Sequence, residues 1–374
     1  MSGLTILSDS AVHEILINLS KDEIIAFQTA LAKCLRDYSV GTERQYQPAP
    51  GVVTRPDGQK TLFRPFTSPT AVGTKIIVDP APTRDNGKLP LQGILTLCDE
   101  NGLPKGVINA AEVTAYRTSL IAMIPSMWRR NIEHIVVYGA GKQALWHIRL
   151  VLALRGDEIK SVTVVNRSEK RAREMVSRVT QENATRWKSS ATIMHFDPAN
   201  PTFDRSLEAA VVDADAIFCT VPSKTPLFPA RYVLGLEKRK KNPYVSAIGS
   251  WQPDMIELDP ALLNSIANGT TNSFHPEHGS SGSILVDDSE FVMKHTGEAV
   301  RSQLKIDDML EVGRVFHLRS HESNSGQRGE LSRWLEEGLV VYKSVGVSVT
   351  DLAAGEQILV LAKERIMGTH LAEF

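Results

Sequence analysis

Apolar positions along this 374-residue chain follow two rhythms, and the change between them falls near residue 130. Before it, the pattern predicts a short apolar strand, Leu4-Thr5-Ile6-Leu7, and then two helices. Ser10 is placed to cap the first and Ser20 the second, whose apolar positions Ile24, Phe27, Leu31 and Leu35 recur at helical spacing. Residues 45–58 are rich in Pro and Gly and read as loop. β-rich runs follow at Thr61-Leu62-Phe63, at residues 74–78 and 93–98, and at Gly106-Val107-Ile108, with turn signals at Asp85-Asn86-Gly87 and Glu100-Asn101-Gly102. They predict a small, mostly antiparallel sheet. Residues 110–128 predict a helix that carries Arg117 among apolar neighbours.

After residue 130 strands alternate with helices. Ile135-Val136-Val137-Tyr138, Ser161-Val162-Thr163-Val164-Val165, residues 216–221, residues 244–249, Ile284-Leu285-Val286 and residues 339–347 are the strand-like runs, and a helix over about 350–366 closes the chain. Residues 322–329 are the most loop-like part of this half. Strands alternating with helices predict an α/β fold with a doubly wound parallel sheet, in which ligands sit outside the carboxyl ends of the strands.

One junction carries specific chemistry. The first of these strands breaks at Gly139-Ala140-Gly141, and Lys142, Gln143 and Ala144 open an amphipathic helix with apolar positions at Leu145, Ile148, Val151 and Leu152. Strand, glycine turn and helix give the G-x-G-x-x-A pattern its physical sense. The first glycine allows the tight turn, the second lets backbone approach a pyrophosphate, and the small Ala144 lets helix pack on strand. The helix N-terminus then offers free N–H groups to the phosphates. The next strand ends at Asn166-Arg167-Ser168, with Lys170 and Arg171 just beyond. An acid there would bind a ribose 2′-hydroxyl; an amide, a guanidinium and a hydroxyl instead suit a 2′-phosphate, so the set favours NADP(H), with NAD(H) the alternative.

Composition narrows the partners. A net charge of −1 gives no reason to expect nucleic acid or an acidic membrane surface, and no apolar run is long enough to span a bilayer. Cys34, Cys98 and Cys219 are widely spaced in apolar contexts and read as buried thiols. The N-terminus lacks the pattern of a signal peptide, and Ala372-Glu373-Phe374 is not a peroxisomal address, so a cytoplasmic protein is expected. Pro276 breaks the helix that would align His275 with His278, so no metal site is expected. The basic run Lys238-Arg239-Lys240-Lys241 reads as a solvated connection.

The residues resemble the ornithine cyclodeaminase and mu-crystallin family over nearly the whole chain. The matching pieces are GTKIIV around Lys75, AYRTSL around Arg117, YGAGKQA with its distinctive Gln143, the NRS tip, AIGSWQPDMIELD, the ILVDD strand and the late YKSVG. The resemblance implies a Rossmann-type NAD(P)-binding domain over residues 130–346. It also implies an α+β substrate-binding and dimerisation domain built from both chain ends, residues 1–129 and 347–374. It implies a small imino or amino acid substrate and a homodimer. Lys75 and Arg117 look like the pair that holds the substrate carboxylate, Thr220, Ile248 and Gly249 match positions lining the cofactor, and Ser344 matches a residue near the nicotinamide. Without the resemblance, a lysine in a strand reads as pointing to solvent and an arginine on a helix as pairing with a surface acid.

Two departures shape the expected reaction. Residues 45–50 place Pro50 where the family often carries an arginine, and Arg64 is the neighbouring charge that could replace it. Trp251 stands where the cyclodeaminases carry an aspartate, and Asp254 is read as capping the next helix. An indole has no titratable proton. The expectation is therefore an NAD(P)H-dependent reductase of a small ketimine, with Trp251 against the substrate and no cyclisation of ornithine. The alternatives are the oxidative sense on an amino acid or opine, and an NADPH- and ligand-binding protein with little turnover.

Overall fold

The computed structural model describes residues 3–83, 89–235, 241–271, 273–276, 281–325 and 329–374. The turn at Asp85-Asn86-Gly87, residues 238–240 of the basic run, and Glu277 and His278 of the histidine pair lie outside the described residues. The chain divides into two compact units, residues 1–117 with 346–374, and residues 118–345. The division falls inside the helix Ala110–Met127, earlier than the boundary at 129/130 expected from sequence.

Among the described residues the first unit holds a seven-stranded sheet. Its strands are β1 (Leu4–Leu7), β2 (Gly51–Thr54), β3 (Lys60–Thr67), β4 (Ala71–Asp79), β5 (Gln92–Asp99), β6 (Pro104–Asn109) and the last strand of the chain, Thr369–Leu371. They lie in the order Thr369–Leu371, β1, β6, β5, β4, β3, β2, antiparallel except for β1 beside β6. Strand β2 corrects the reading of residues 45–58 as loop: Val52 and Val53 pair with β3 along its edge. All four of its residues are exposed, so no alternation betrayed it.

One face of the sheet is covered by the helix Ser348–Glu364, and the helix Lys21–Val40 packs on that helix. Ser20 caps the helix Lys21–Val40 in a box with Glu23, as its spacing predicts. The helix Asp9–Ile17 is capped by Ser8, not Ser10, because Ser8 holds the extended backbone that lets its hydroxyl accept from the Ala11 amide. Strand alternation sends Leu62, Arg64 and Phe66 of β3 inward, with Ala71, Lys75, Ile77 and Asp79 of β4 and Leu95 and Leu97 of β5. Phe63 and Ile94 point to the other face, 41% and 43% exposed, on either side of Ile76 in one cross-strand row. Gly355 lets the last helix lie close to the sheet: a Cβ there would stand 2.9 Å from methyls of Leu95 and Leu97.

The second unit carries, among the described residues, an eight-stranded parallel sheet. Its strands are β7 (His134–Tyr138), β8 (Ser161–Val165), β9 (Thr192–His195), β10 (Ala216–Cys219), β11 (Tyr244–Ala247), β12 (Ile284–Val286), β13 (Met309–Glu311) and β14 (Val340–Lys343). The order β9-β8-β7-β10-β11-β14-β12-β13 is that of a doubly wound α/β sheet. Strands run outward from β7 to β9 and then return to β10, so the carboxyl ends of β7 and β10 flank the switch point where such sheets bind ligands. The central strands are buried on both faces, which is why they read as continuous apolar runs. The short strands β9 and β13 were not anticipated, and the helix Val312–Ser325 runs into the segment read as loop from residue 322. Among the described residues no helix is long and apolar enough to cross a membrane.

The approach at Gly355 is open to test. Gly355→Val adds methyls where Leu95 and Leu97 already fill the space, and should lower the unfolding free energy by about 1–3 kcal/mol despite its better backbone entropy. Urea unfolding of parent and variant measures it, and an unchanged midpoint would mean that the helix can ride outward without cost.

Candidate functional site

Each unit contains a polar centre. In the first, strand alternation places Lys75 at an inward position of β4, in register with Arg64 of β3 and Leu95 of β5. Lys75 has no exposed surface, and Arg64 and Arg117 are buried as well. The solvent-facing reading of Lys75 is thereby excluded. What compensates these charges is Asp351, one turn before Gly355 in the helix Ser348–Glu364 and itself fully buried. Its Oδ2 lies 2.6 Å from Lys75 Nζ, and its Oδ1 accepts from Arg117 Nε at 2.9 Å. Arg64 donates through Nη1 to the carbonyl of Gly346 at 2.9 Å.

The electrostatics follow from burial. Desolvation pushes the Lys75 ammonium down to about 7; Asp351 pulls it up, while Arg117 and Arg64 push it down further. For Asp351, burial acts to raise the carboxyl, but Arg117, Lys75 and Arg64 outweigh it and hold the group below the ordinary carboxylate range. Among the described residues, Lys75 and Arg117 both pair with the single carboxylate of Asp351. Arg117 keeps a buried Nη1 without a hydrogen-bond partner. Gly346 matters here for a backbone reason and a steric one: its φ is +81°, and a Cβ would stand 2.8 Å from both terminal nitrogens of Arg117.

The second centre lies at the switch point. Gly139 has φ +118°, and a Cβ on it would meet Thr220 Oγ1 at 2.5 Å. The hydroxyl of Thr220 donates to the carbonyl of Tyr138 at 2.7 Å, fastening the end of β10 to the turn after β7. Gly141 caps the helix Lys142–Arg155 with no side chain, and a Cβ on it would meet nothing within 4 Å. An uncapped helix N-terminus behind a glycine with open space fits a pyrophosphate. Lys142 is exposed beside it, and Ala144 is buried against the sheet. Gln143 is engaged from inside: its side-chain oxygen accepts from Ser119 at 3.3 Å and its carbonyl is 2.8 Å from His147 Nδ1.

Tyr138 and Val165 are register partners, so the tip Asn166-Arg167-Ser168 lies beside the glycine turn. Asn166 donates to the Ser168 carbonyl at 2.9 Å, Ser168 caps the next helix, and Arg171 reaches the Ala140 carbonyl at 3.3 Å. Arg167 and Lys170 are exposed there.

The carboxyl ends of β10, β11 and β14 are tied down by buried acids that sequence reasoning missed. Glu257 accepts from the amides of Val221 (2.8 Å), Gly249 (2.7 Å) and Ser250 (3.2 Å). Glu298 accepts from Ser250 Oγ (2.5 Å) and the Glu257 amide (2.6 Å), and Lys343 donates to the carbonyls of Ala247 and Ser250. Burial pushes the Glu257 carboxyl up to about 7, against the pull of Lys343 and the amides. Gly249 is required at this crossing, since a Cβ would lie 2.5 Å from Val221 backbone atoms. Ile248 bonds the Cys219 carbonyl, and Ser344 donates to Asp287 at 2.7 Å. Trp251 is half-buried in the loop beyond. Asp254 does not cap the following helix; Asp259 does, and Asp254 forms an exposed ion pair with Lys224 at 2.8 Å.

The crowding at Gly346 generates a prediction. Gly346→Ala should lower the unfolding free energy by about 1–2 kcal/mol, from a positive φ and a clash with the guanidinium. The same change should cost less in an Arg117→Ala background. Urea unfolding of the four proteins checks it, and equal costs in both backgrounds would show that the guanidinium is not what the methyl meets.

The chain is similar to several known proteins along nearly its whole length. An uncharacterized protein of Saccharomyces cerevisiae is 24% identical over 382 residues, covering 96% of this chain and 97% of the relative. A Delta(1)-pyrroline-2-carboxylate reductase of Bacillus thuringiensis is 26% identical over 364 residues, 95% of this chain and 96% of the relative. The solved Delta(1)-pyrroline-2-carboxylate reductase of Thermococcus litoralis, in complex with NADH and L-proline, shares the fold with a TM-score of 0.71 at 17% identity, over 98% of this chain and 99% of that one. The model of the ornithine cyclodeaminase/mu-crystallin family matches residues 13–365, and this chain belongs to that family.

Proposed function

We propose that this protein is an NAD(P)-dependent oxidoreductase acting on C–N bonds, and that it reduces the imine of a small α-imino acid, cyclic or formed from an amine. The observation that carries the reading is the buried pair Lys75 and Arg117 meeting one carboxylate, with Nη1 of Arg117 left over, which suits an anionic substrate. Arg117 offers its unpartnered Nη1 to the substrate carboxylate. Arg64, in register with Lys75, stands in for the arginine that Pro50 replaces. A bound nicotinamide dinucleotide supplies the hydride for the C=N carbon. Lys75, with its ammonium brought to about 7, holds a proton that the developing amine can take at neutral pH. The uncapped helix at Gly141 supports a dinucleotide, and the exposed Arg167 and Lys170 beside the turn support NADP(H) over NAD(H). On this reading residues 130–346 bind the dinucleotide, and residues 1–129 with 347–374 bind the substrate and form a cytoplasmic homodimer.

Trp251 argues against cyclisation. Closing a ring from ornithine requires proton transfers at two amines, and neither an indole nor the surface-paired Asp254 is placed to make them. The reading is tested by incubating purified protein with NADPH and a panel of cyclic ketimines that includes 1-pyrroline-2-carboxylate. Oxidation of NADPH with any of them supports it. Tight cofactor binding without turnover would identify a ligand-binding protein instead. Steady release of proline and ammonia from ornithine would overturn the assignment of Trp251.

Four variants probe its parts. Lys75→Ala and Arg117→Ala should each lower kcat/KM by roughly a hundredfold or more while NADPH binding stays near the parent's, because a charged partner is taken from a desolvated anion; parental kinetics in both would place the substrate elsewhere. Arg167→Asp should weaken NADPH far more than NADH in titrations of cofactor fluorescence, and equal affinity of the parent for both would remove the preference. Phe63→Glu with Ile94→Glu puts charges on the open sheet face and should give a monomer by light scattering where the parent is a dimer; an unchanged mass would move the interface off that face.

A further inference from the structure

The carboxylate of Asp351 is used twice, and neither use belongs to the substrate. Both oxygens are engaged with cations that the proposed reaction needs, at 2.6 Å and 2.9 Å, from a position with no solvent access. We propose that Asp351 is the positioning residue of this centre, gripping Lys75 through Oδ2 to keep it charged and Arg117 through Oδ1 to hold its Nη1 edge open for the substrate carboxylate. The proposal rests on the reading of Lys75 and Arg117 given above and deepens it.

The geometry separates the two jobs. A guanidinium presents its donors along two edges. Asp351 occupies Nε, Gly346 is flush against the terminal nitrogens, and Nη1 stays without a partner. Lys75 Nζ meets Asp351 Oδ2 as an ion pair at 2.6 Å without hydrogen-bond geometry, so the donors of its ammonium remain for substrate. The groups facing Lys75 come from each element around it. Arg64 lies across from it on β3, Arg117 on the helix Ala110–Met127 and Asp351 on the helix Ser348–Glu364, while its neighbour on β5 is the apolar Leu95. Cys34, on the helix Lys21–Val40, donates to the Val349 carbonyl, and its thiol, pushed up to about 12 by burial, adds no charge. Asp351 is therefore the anion that opposes two arginines, and without it their repulsion and the dry surroundings both drive Lys75 toward the neutral amine.

The sign is then determined. Reduction that needs protonated Lys75 falls off as pH rises through its pKa. Asp351→Asn, which keeps shape and removes charge, should move the alkaline limb of kcat/KM toward acid by about one pH unit or more, and below both limbs it should retain activity within about tenfold of the parent. A limb that stays in place, with activity lowered evenly at all pH values, would overturn the proposal, since that is what a merely structural acid predicts. Asp351→Glu keeps the charge and should leave the limb near its parental position while kcat falls. Its limb moving with that of Asp351→Asn would also overturn it, and this comparison with the parent serves if the asparagine variant does not fold. A second readout needs no turnover: the affinity of pyrrole-2-carboxylate, a planar anion, measured by calorimetry across pH. Its midpoint should fall in Asp351→Asn by the same interval. A parent that turns over no ketimine but shows this shift would keep the role of Asp351 and sink the reductase reading. A parent that turns over with both readouts unmoved in the variant would do the reverse.

Discussion

A charge taken out of water into a sheet core costs several kcal/mol unless it is paired, and the first unit buries Lys75 and Asp351 completely. Much of the local architecture follows from keeping them together. The strand must place Lys75 inward, the covering helix must bring Asp351 down onto it, and Gly355 one turn later allows that approach. Gly346 gives up a side chain so that Arg117 can lie flat at the start of the same segment. A single carboxylate pairs with two cations, Lys75 and Arg117.

The second unit meets the opposite requirement. Where strands end at a switch point, backbone amides lose their ladder partners and must be satisfied in other ways. Glu257 takes the amides of Val221, Gly249 and Ser250, Glu298 takes the amide of Glu257 itself, and Asp287 takes that of Val345 and the hydroxyl of Ser344. Lys343 balances Glu257 from inside. The loops after β10, β11 and β14 are thus held by buried charge, whereas the glycine turn after β7 carries no side chain of its own at Gly139 or Gly141, and Gly141 faces open space. One arrangement fixes where loops run, and the other leaves backbone free for a ligand.

Chemical specificity, on the proposed reading, comes from what each centre lacks. The second unit carries no acid at Trp251, so multi-step proton chemistry on a diamine has no local base there, while a preformed imine asks for one proton and one hydride. On that reading the proton comes from Lys75, whose burial and arginine neighbours bring it near neutrality.

The sequence by itself determined the doubly wound sheet, because strands buried on both faces must be apolar throughout and the pattern is local. It determined the nucleotide turn for the same reason: Gly139, Gly141 and Ala144 act through backbone within six residues. It named Lys75, Arg117 and Arg64, and the resemblance supplied their role, but it could not tell an inward lysine from an exposed one. Val72, Ile76 and Val78 make the outward face of β4 apolar too. Asp351, Glu257, Glu298 and Lys343 were passed over because an acid in a loop or in the first turn of a helix, or a lysine ending a strand, reads as an ordinary solvated charge. Only tertiary structure decides such cases. Asp351 stands 276 positions after Lys75 and 234 after Arg117, the difference of their residue numbers, and an ion pair between residues so distant exists only once sheet and helix have packed.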